Sequence, residues 1–276
     1  MKVKINDKKL WKNYLKWVSG TAVPISMLLA FVDFCQKTKL IIGISYLFLL
    51  AGLFIVLWGV ANKKTSISLK INNSTVNVFY GDIFAQKDYK VIAFNEYFDT
   101  IVDDRLISEN SLNGQYIKNY VADVSALNRL IIADRHIKEP LYSITNSSKK
   151  HGKKTKYHLG VICKNGDYFL LAFSHFDEQY RANLTLQDYT ACLMKMWSEI
   201  DALYGGKTVS IPLLGSGITR FKDCEISDQE LLEIIIWTLK ISKVKFTYPS
   251  TMNIVLSESR KDKINLYKLK EETDNE

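Results

Sequence analysis

The sequence predicts an α/β domain that follows an N-terminal pair of membrane helices. Two apolar runs, residues 17–34 and 40–61, predict the helices, and the second run has no charged side chain over its whole length. That run matches the roughly 20 residues needed to cross a bilayer. The domain is predicted because, from residue 65 onward, strand-like and helix-like segments alternate, as they do where helices cover a central sheet.

The two apolar runs predict a transmembrane helical hairpin within residues 1–62, with a short turn at residues 35–39. Pro24 interrupts the first run, but proline is tolerated in spanning helices whose neighbours satisfy the freed backbone groups. A signal peptide is the alternative for the first run. It is disfavoured because no small-residue cleavage site ends the run and a second apolar run follows at once.

The distribution of charge predicts the orientation of the hairpin and excludes one class of partner. Residues 1–62 contain eight lysines and two aspartates, so they carry six of the chain's eight net positive charges. A nucleic-acid-binding protein concentrates Lys and Arg on its folded domain, so no nucleic acid is expected as a partner. Lysines precede and follow the hairpin, and positive flanks stay in the cytoplasm. Both termini and the folded domain are therefore predicted to be cytoplasmic, in a multi-pass protein of the plasma membrane.

The folded domain is predicted to occupy residues 63–276. Its first half contains strands of β-branched and aromatic residues, expected at residues 66–70, 75–80 and 89–94. A long polar connection follows at residues 95–113, and connections of this length in a compact domain are usually functional or mobile. Apolar residues at helical spacing then predict one helix over residues 114–135.

The second half of the domain opens with a basic run, residues 149–156, which is predicted to be a solvated loop; a phosphate or lipid-headgroup contact is the alternative. The Asn165-Gly166 pair predicts a hairpin between two strands. Capping pairs predict two helices, Thr185 with Asp188 for one ending near residue 204 and Ser227 with Glu230 for one ending near residue 241. The strands expected here are residues 157–163, 168–174, 209–214, 252–256 and 264–269.

One stretch, residues 209–221, carries the clearest functional signal. A buried strand leads into Gly215-Ser216-Gly217 and then into Thr219 and Arg220. Glycines leave room for successive backbone N–H groups to turn inward and form a concave site for phosphate, and Arg220 would add a charged donor. A tight turn with no ligand is the alternative.

The order of these motifs resembles a macro domain, the α/β module that binds ADP-ribose, over roughly residues 66–270. Gly81-Asp82-Ile83 after an early strand, Asn95 at a strand end and Asn113-Gly114 in a polar loop precede the segment 212–221. The resemblance implies a three-layer domain with a mixed central sheet. It also implies that Asp82 and Ile83 hold the adenine. Asn95, Asn113 and Gly114 are further implied ligand residues. The residues implied to hold the diphosphate and distal ribose are Gly215, Ser216, Gly217, Ile218, Thr219, Arg220 and Phe221.

Departures from the macro pattern argue against catalysis. Macro hydrolases carry an Asn-Ala-Ala-Asn stretch and a glycine run, whereas residues 95–98 here read Asn-Glu-Tyr-Phe and residues 111–114 read Ser-Leu-Asn-Gly. A binding module without catalytic residues is therefore expected. The four cysteines and four histidines follow no metal-ligand spacing, so no metal and no cofactor are expected.

A two-helix hairpin followed by a divergent macro domain resembles the membrane-type effectors of the bacterial Thoeris anti-phage systems. In that resemblance, a partner TIR-domain enzyme makes an ADP-ribose-derived signal, in which histidine-ADP-ribose is suspected. Signal binding would drive homo-oligomer assembly, disruption of the inner membrane and abortive infection. Two alternatives are kept: a membrane-anchored ADP-ribosyl hydrolase, and a membrane scaffold that binds no nucleotide.

Overall fold

The computed structural model describes residues 3–32, 34–137, 143–145 and 149–271. The chain divides into two compact units, one comprising Met1–Thr65 with Asn265–Glu276 and the other Ser66–Ile264. Lys2 and Asp33, which enter the charge argument above, lie outside the described residues.

The helical unit contains two long helices, α1 (Lys8–Phe31) and α2 (Gln36–Asn62). By length and composition both are apolar enough to cross a membrane. Helix α1 begins well before the predicted residue 17 because the Asp7 carboxylate caps it, accepting the N–H groups of Lys9 and Leu10 at 3.0 and 3.1 Å. Midway along the pair, the hydroxyls of Thr21 and Tyr46 lie 2.9 Å apart and join the two helices.

The C-terminal segment of the chain packs within this helical unit. The Lys9 ammonium donates to the Tyr267 carbonyl at 2.8 Å, and the Asn13 amide donates to the Tyr267 hydroxyl at 2.7 Å. The strand predicted at residues 264–269 is wrong: a turn leads instead into a 3-10 helix, Lys268–Glu271. The Asn265 side chain accepts the N–H of Tyr267 at 3.0 Å, and such local bonds compete with a strand ladder.

The other unit is an α/β domain. In the described residues its helices are α3 (Leu112–Tyr120), α4 (Val124–Ala133), α5 (Leu186–Leu203) and α6 (Asp228–Ser242). Its strands are β1 (Ser66–Ile71), β2 (Ser74–Tyr80), β3 (Tyr89–Asn95), β4 (Ser143–Thr145), β5 (Thr155–Tyr157), β6 (Ile162–Asn165), β7 (Tyr168–Phe176), β8 (Ala182–Leu184), β9 (Val209–Pro212), β10 (Arg220–Phe221) and β11 (Met252–Leu256).

A mixed sheet organises this unit, in the order β1-β2-β11-β9-β3-β7-β8-β10, with β6 paired to part of β7. The five strands β2, β11, β9, β3 and β7 are mutually parallel. Strands β1, β6 and β8 each run antiparallel to their neighbours β2 and β7. The carboxyl ends of the five parallel strands therefore meet along one edge of the sheet.

Helices cover both faces of the sheet. On one face, Ile92 and Phe94 of β3 belong to a buried cluster with Tyr116 of α3 and Ile131 of α4. On the other face, the ring of Phe173 of β7 lies 5.9 Å from that of Tyr189 of α5. Because successive strand residues point to opposite faces, the buried strands β3 and β7 supply both layers. The result is the three-layer, mixed-sheet domain that the sequence predicts.

Both predicted capping boxes are present, so α5 and α6 begin where the sequence places them. The single helix predicted over residues 114–135 is wrong, because Asp123 starts a second helix by accepting the N–H groups of Ser125 and Ala126. The strand predicted at residues 157–163 is also interrupted. Gly160 there has a φ of +91°, and a Cβ on it would lie 2.6 Å from the Lys195 Cβ.

Replacing Trp197 of α5 tests how the two capped helices are joined. The Trp197 indole is fully buried and donates to the Thr238 hydroxyl of α6 at 3.0 Å. Trp197→Phe loses that bond and leaves a void, so the free energy of unfolding falls by about 1–3 kcal/mol. The matched control is Trp237→Phe, since Trp237 is 52% exposed on the same α6. Chemical denaturation of the purified chain measures the free energy of unfolding of both variants. Equal losses would contradict the conclusion that Trp197 joins α5 to α6.

Candidate functional site

A cavity of about 720 Å³ lies at the carboxyl edge of the parallel strands. Its wall is built by the chain just after β2, β9 and β11, by the ends of β3 and β7, and by part of residues 106–115. Nine of the twelve ligand residues implied by the sequence line it: Asp82, Ile83, Asn95, Asn113, Gly215, Ser216, Gly217, Ile218 and Thr219. Gly114, Arg220 and Phe221 do not.

The loop that follows β9 is held in a tight turn. The Ser216 N–H and hydroxyl both donate to the Leu213 carbonyl, at 3.3 and 2.7 Å. Gly215 has a φ of +86°, which favours glycine. Within the described residues, the backbone N–H groups of Gly217 and Ile218 donate to no protein acceptor. Two unused donors in a glycine-rich turn make a site for an anion.

Phe221 and Arg220 have other roles than direct ligand contact. The Phe221 ring packs edge-on against Tyr189 at 5.5 Å, and a Cβ on Gly215 would lie 3.4 Å from the Phe221 ring. Phe221 therefore supports the loop from beneath. Arg220 pairs with Asn183 in the short β10–β8 ladder and is exposed outside the cavity wall. The sequence argument did not foresee that ladder, and the prediction that Arg220 lies at the anion site is not supported, since Arg220 does not line the cavity.

Arg260 is the cavity residue that sequence reasoning missed. It donates through Nη1 to the Asp228 carboxylate at 3.0 Å and through Nη2 to the Ser216 carbonyl of the loop. Of the described residues that line the cavity, it is the one with a positive charge, whereas Asp82 and Glu258 are acidic. Arg260 follows β11, which is parallel to β9, so the segments after both strands lie at the same edge of the sheet. A basic residue shortly after a predicted strand was the signal that could have identified Arg260.

The segment after β2 forms the opposite part of the wall. The Gly81 N–H donates to the Leu256 carbonyl of β11 at 2.9 Å, which fixes the segment to the sheet edge. Asp82 is exposed and one of its carboxylate oxygens accepts the Phe84 N–H at 2.9 Å. Ile83 is buried. An apolar contact beside a carboxylate acceptor suits a flat heterocycle that carries an amino group.

Asn95 reaches the cavity, but its amide is engaged in the chain's own turn. Its carbonyl oxygen accepts the N–H groups of Tyr97 and Asp99 at 3.0 and 3.3 Å. Its amide nitrogen donates to the Asp99 carboxylate at 3.1 Å. This local network orders the start of the long connection after β3 rather than presenting the amide to a substrate.

Gly114 and Asn113 differ although they are adjacent. A Cβ on Gly114 would lie 2.2 Å from the Ser108 carbonyl oxygen, so glycine is needed there for close packing. Ser111 caps α3 by accepting the Gly114 N–H at 3.0 Å. The Asn113 side-chain oxygen is buried and has no hydrogen-bond partner among the described residues.

Two lysines of the basic run at residues 149–156 pack over a buried carboxylate, whereas Lys150, His151 and Lys154 are exposed, as expected of the predicted solvated loop. Asp99 is inaccessible to solvent. The Lys149 side chain is 6% exposed and its ammonium lies 2.6 Å from the Asp99 carboxylate, which also accepts the Lys153 N–H at 2.6 Å. The prediction failed for Lys149 and Lys153 because a buried charge requires partners, and these two residues supply them.

Burial shifts the pKa values of this charged cluster. Burial lowers the pKa of the Lys153 ammonium to about 8, although the Asp99 carboxylate acts in the opposite direction. It also lowers the pKa of Lys149 in spite of the hydrogen bond to Asp99. For Glu96, burial alone would raise the pKa, but hydrogen bonds from His175 and Lys156 outweigh it and the pKa is lowered. These groups lie behind Asn95 and outside the cavity wall.

Among the described residues, no three His, Cys, Asp or Glu side chains form a group suited to a metal ion. Cys163 and Cys192 are buried, and burial raises the pKa of both thiols. They suit packing rather than nucleophilic chemistry. That the site uses no metal stays a prediction.

Comparison with known proteins gives two strong similarities. The family "Thoeris protein ThsA, Macro domain" matches residues 76–257. Thoeris protein ThsA from Bacillus amyloliquefaciens (strain Y2) is 42% identical over 275 residues, which cover 97% of this chain and 91% of that protein.

Solved structures of the Oceanobacillus iheyensis macrodomain are more distantly similar. The structure with MES bound has a TM-score of 0.43 at 15% identity and covers 76% of this chain and 98% of the macrodomain. The structure with ADP has a TM-score of 0.40 at 14% identity and covers 75% of this chain and 94% of the macrodomain. At this level of similarity they supply no residue-by-residue correspondence.

The pKa of Lys153 predicts a pH dependence of stability. The folded chain releases the Lys153 proton near pH 8, whereas the unfolded chain keeps it to the ordinary lysine value of 10.5. Between these values Lys153 binds a proton in the unfolded state only, so the contribution of this residue to the free energy of unfolding rises as the pH increases from 8 to 10.5. We expect a rise of about 1–2 kcal/mol for a partly screened group.

Denaturation curves at several pH values measure this dependence. Lys153→Met should flatten the rise, whereas Lys154→Met, at an exposed neighbour, should keep it. The difference between the wild-type and Lys153→Met curves isolates this contribution from that of the buried thiols Cys163 and Cys192, whose raised pKa values act in the opposite direction. A Lys153→Met curve parallel to that of the wild type would contradict the burial argument.

Proposed function

This chain belongs to the Thoeris ThsA family, and on that basis we propose that it is a membrane effector of a bacterial anti-phage system. Its macro domain acts as a receptor for an ADP-ribose-derived signal that a TIR-domain enzyme makes during infection. The signal we propose is histidine-ADP-ribose. The receptor is the unit of residues 66–264, which is shorter than the 63–276 expected from the sequence because residues 265–276 belong to the helical unit. Residues 1–62 form the membrane element on which the receptor acts.

The observation that carries this proposal is the anion-binding half of the cavity. Two backbone N–H groups, of Gly217 and Ile218, have no acceptor among the residues that the structure describes, and the guanidinium of Arg260 is fixed against the same loop by Ser216 and Asp228. A diphosphate offers several acceptor oxygens to such donors. The volume of about 720 Å³ lies within the range of small-molecule sites, about 300–1,000 Å³.

The rest of the wall accommodates the other parts of the signal. We place the adenine beside Ile83, with its amino group donating to the Asp82 carboxylate. The diphosphate and distal ribose then lie along residues 215–219. The conjugated end of the signal lies toward residues 95–113. The buried polar groups of that wall favour a polar ligand there.

We propose binding without turnover. Macro hydrolases depend on an Asn-Ala-Ala-Asn stretch and a glycine run to position water, and residues 95–98 and 111–114 of this chain depart from both. Here the Asn95 amide is held by Tyr97 and Asp99, and no described cavity residue combines a nucleophile with a base at hydrogen-bond distance. A receptor has to retain its ligand, and an intact ligand is what this geometry favours.

The membrane part of the proposal rests on α1 and α2, which are both long and apolar enough to span a bilayer. We propose a multi-pass protein of the bacterial inner membrane with both termini and the macro domain in the cytoplasm, because lysines precede and follow the hairpin. Signal binding favours a homo-oligomeric assembly, whose hairpins disrupt the membrane and end the infection by killing or arresting the cell. The signal can shift this equilibrium only by its differential affinity for the two states.

Calorimetric titration of the full chain in lipid nanodiscs tests the receptor step. We expect histidine-ADP-ribose to bind tightly and ADP-ribose to bind more weakly, with the ligand recovered intact. Leakage of dye from liposomes that contain the full chain tests the membrane step and should require the signal. Turnover of the ligand would point to the hydrolase, and binding of neither compound would point to the scaffold.

Gly217 offers a direct test of the anion loop. A Cβ on Gly217 meets no atom within 4 Å, so a side chain is accommodated there without disturbing the fold. Gly217→Glu places a carboxylate beside the proposed diphosphate and should weaken signal binding by about 10- to 100-fold. Gly217→Gln has the same size without the charge and should weaken it far less. Unchanged binding by Gly217→Glu would show that the diphosphate lies elsewhere.

A further inference from the structure

The two helices of the hairpin touch at two levels that fix their register. Near the start of α1, the ring of Tyr14 lies 5.3 Å from the ring of Phe54 of α2. Further along α1, the hydroxyls of Thr21 and Tyr46 lie 2.9 Å apart. The helices are therefore antiparallel, and the part of α1 between Tyr14 and Thr21 lies beside the part of α2 between Phe54 and Tyr46.

This register places Lys16 beside the middle of an uncharged helix. The uncharged run of α2 covers residues 40–61. Phe54 is seven residues from one end of the run and Tyr46 is six residues from the other. Lys16 therefore lies about 9 Å or more from either end along the helix axis, at a rise of 1.5 Å per residue. Lys12, one turn earlier on α1, lies near the level of Phe54.

Both lysines lie on the face of α1 that is turned away from α2. The contact face includes Leu10, which is buried in a cluster with residues of α2, and Tyr14. Lys12 and Lys16 each follow one of these residues by two positions, which is about 200° around a helix. Both lysines are exposed, and neither ammonium group has a hydrogen-bond or ion-pair partner among the described residues.

Lipid alone is an unfavourable environment for these charges. Lysines near the ends of a spanning helix reach the membrane surface, whereas a charge in the middle of a span is costly and marks a functional site by default. Residues 8–32 and 34–62 contain no Asp or Glu that could neutralise it. Sliding the hairpin until Lys16 met the membrane surface would carry Ile55, Val56 and Val60 of α2 into water, because these apolar side chains are exposed.

The face of α1 that carries the lysines continues along the helix without a large side chain. At alternating intervals of three and four residues after Lys16, it presents exposed residues no larger than valine: Ser19, Val23, Ser26 and Ala30. The exposed residues of α2 include large apolar side chains, such as Leu47 and Phe48. Small residues favour close approach between spanning helices. This contrast turns α1 toward other copies of the chain and α2 toward lipid.

We propose that α1 lines an anion-conducting path through the signal-induced assembly, with Lys12 and Lys16 as the charged residues of its cytoplasmic half. Water in the path hydrates both ammonium groups, and their charge attracts anions and repels cations. The lysine face is therefore occupied by water and small anions such as chloride, enclosed by the α1 helices of several copies. The inference rests on the proposed function and gives its membrane step a defined ion selectivity.

The test is electrical recording from planar bilayers of neutral phosphatidylcholine that contain the full chain, with histidine-ADP-ribose in both chambers and a gradient of potassium chloride between them. We expect a current that requires the signal and reverses near the equilibrium potential of chloride. Lys16→Gln keeps a polar side chain but removes the charge, so the reversal potential should shift toward zero, and Lys12→Gln should shift it in the same direction. Lys16→Glu should shift it toward the equilibrium potential of potassium.

Lys63→Gln is the matched control, because Lys63 is exposed and follows the end of α2, outside the uncharged run. Its reversal potential should equal that of the wild type. Calorimetric titration with histidine-ADP-ribose should give the same affinity for all variants, since the substituted residues lie outside the macro domain.

Two results would overturn the inference alone. One is a signal-dependent current that does not distinguish chloride from potassium, and the other is a reversal potential that the substitutions of Lys12 and Lys16 leave unchanged. Either would assign these lysines to lipid phosphates. Absence of any signal-dependent current from the wild type, with the signal bound, would reject the membrane step of the proposed function, and absence of binding would reject the receptor step.

Discussion

The site depends on one topological constraint, the parallel direction of five neighbouring strands. Strands β2, β11, β9, β3 and β7 all end at the same edge, so segments far apart in sequence meet around one cavity. Each strand is tied to the next by backbone hydrogen bonds, and the edge is therefore a rigid frame for the loops. Asp82, Gly217 and Arg260 come from three different loops and lie in one wall for this reason.

The buried charge of Asp99 stabilises the connection that follows β3. Asp99 has no access to solvent, and Asn95, Lys149 and the Lys153 N–H satisfy its carboxylate. Removing a charge from water is costly, and hydrogen bonds and an opposite charge offset that cost only when their geometry is well defined. The connection after β3 and the basic run near residue 150 thus order each other. Asn95 reaches the cavity as part of this network, which is why its amide is not free for chemistry.

Local sequence signals were reliable wherever the cause of the structure was also local. The capping boxes at Thr185 and Ser227 started helices as predicted, because a side chain and a backbone N–H three residues away suffice. The single helix predicted over residues 114–135 failed at Asp123, although its own capping signal was present in the sequence. Arg260 was missed because no local pattern marks a cavity residue; the register of β11 beside β9 places it there. The unpaired oxygen of Asn113 is likewise visible only once its surroundings are known.

The sequence by itself determined the two apolar helices, the alternation of strands and helices and the glycine-rich loop, because each follows from composition, periodicity or a short motif. Only the tertiary structure decided which residues share a wall, which charges are buried and which donors and acceptors remain unused. Arg220 and Arg260 illustrate the difference: the first is adjacent to the loop in sequence yet does not line the cavity, and the second is distant in sequence yet contacts the loop at Ser216. Side-chain contact depends on strand order and register, which are set by long-range packing.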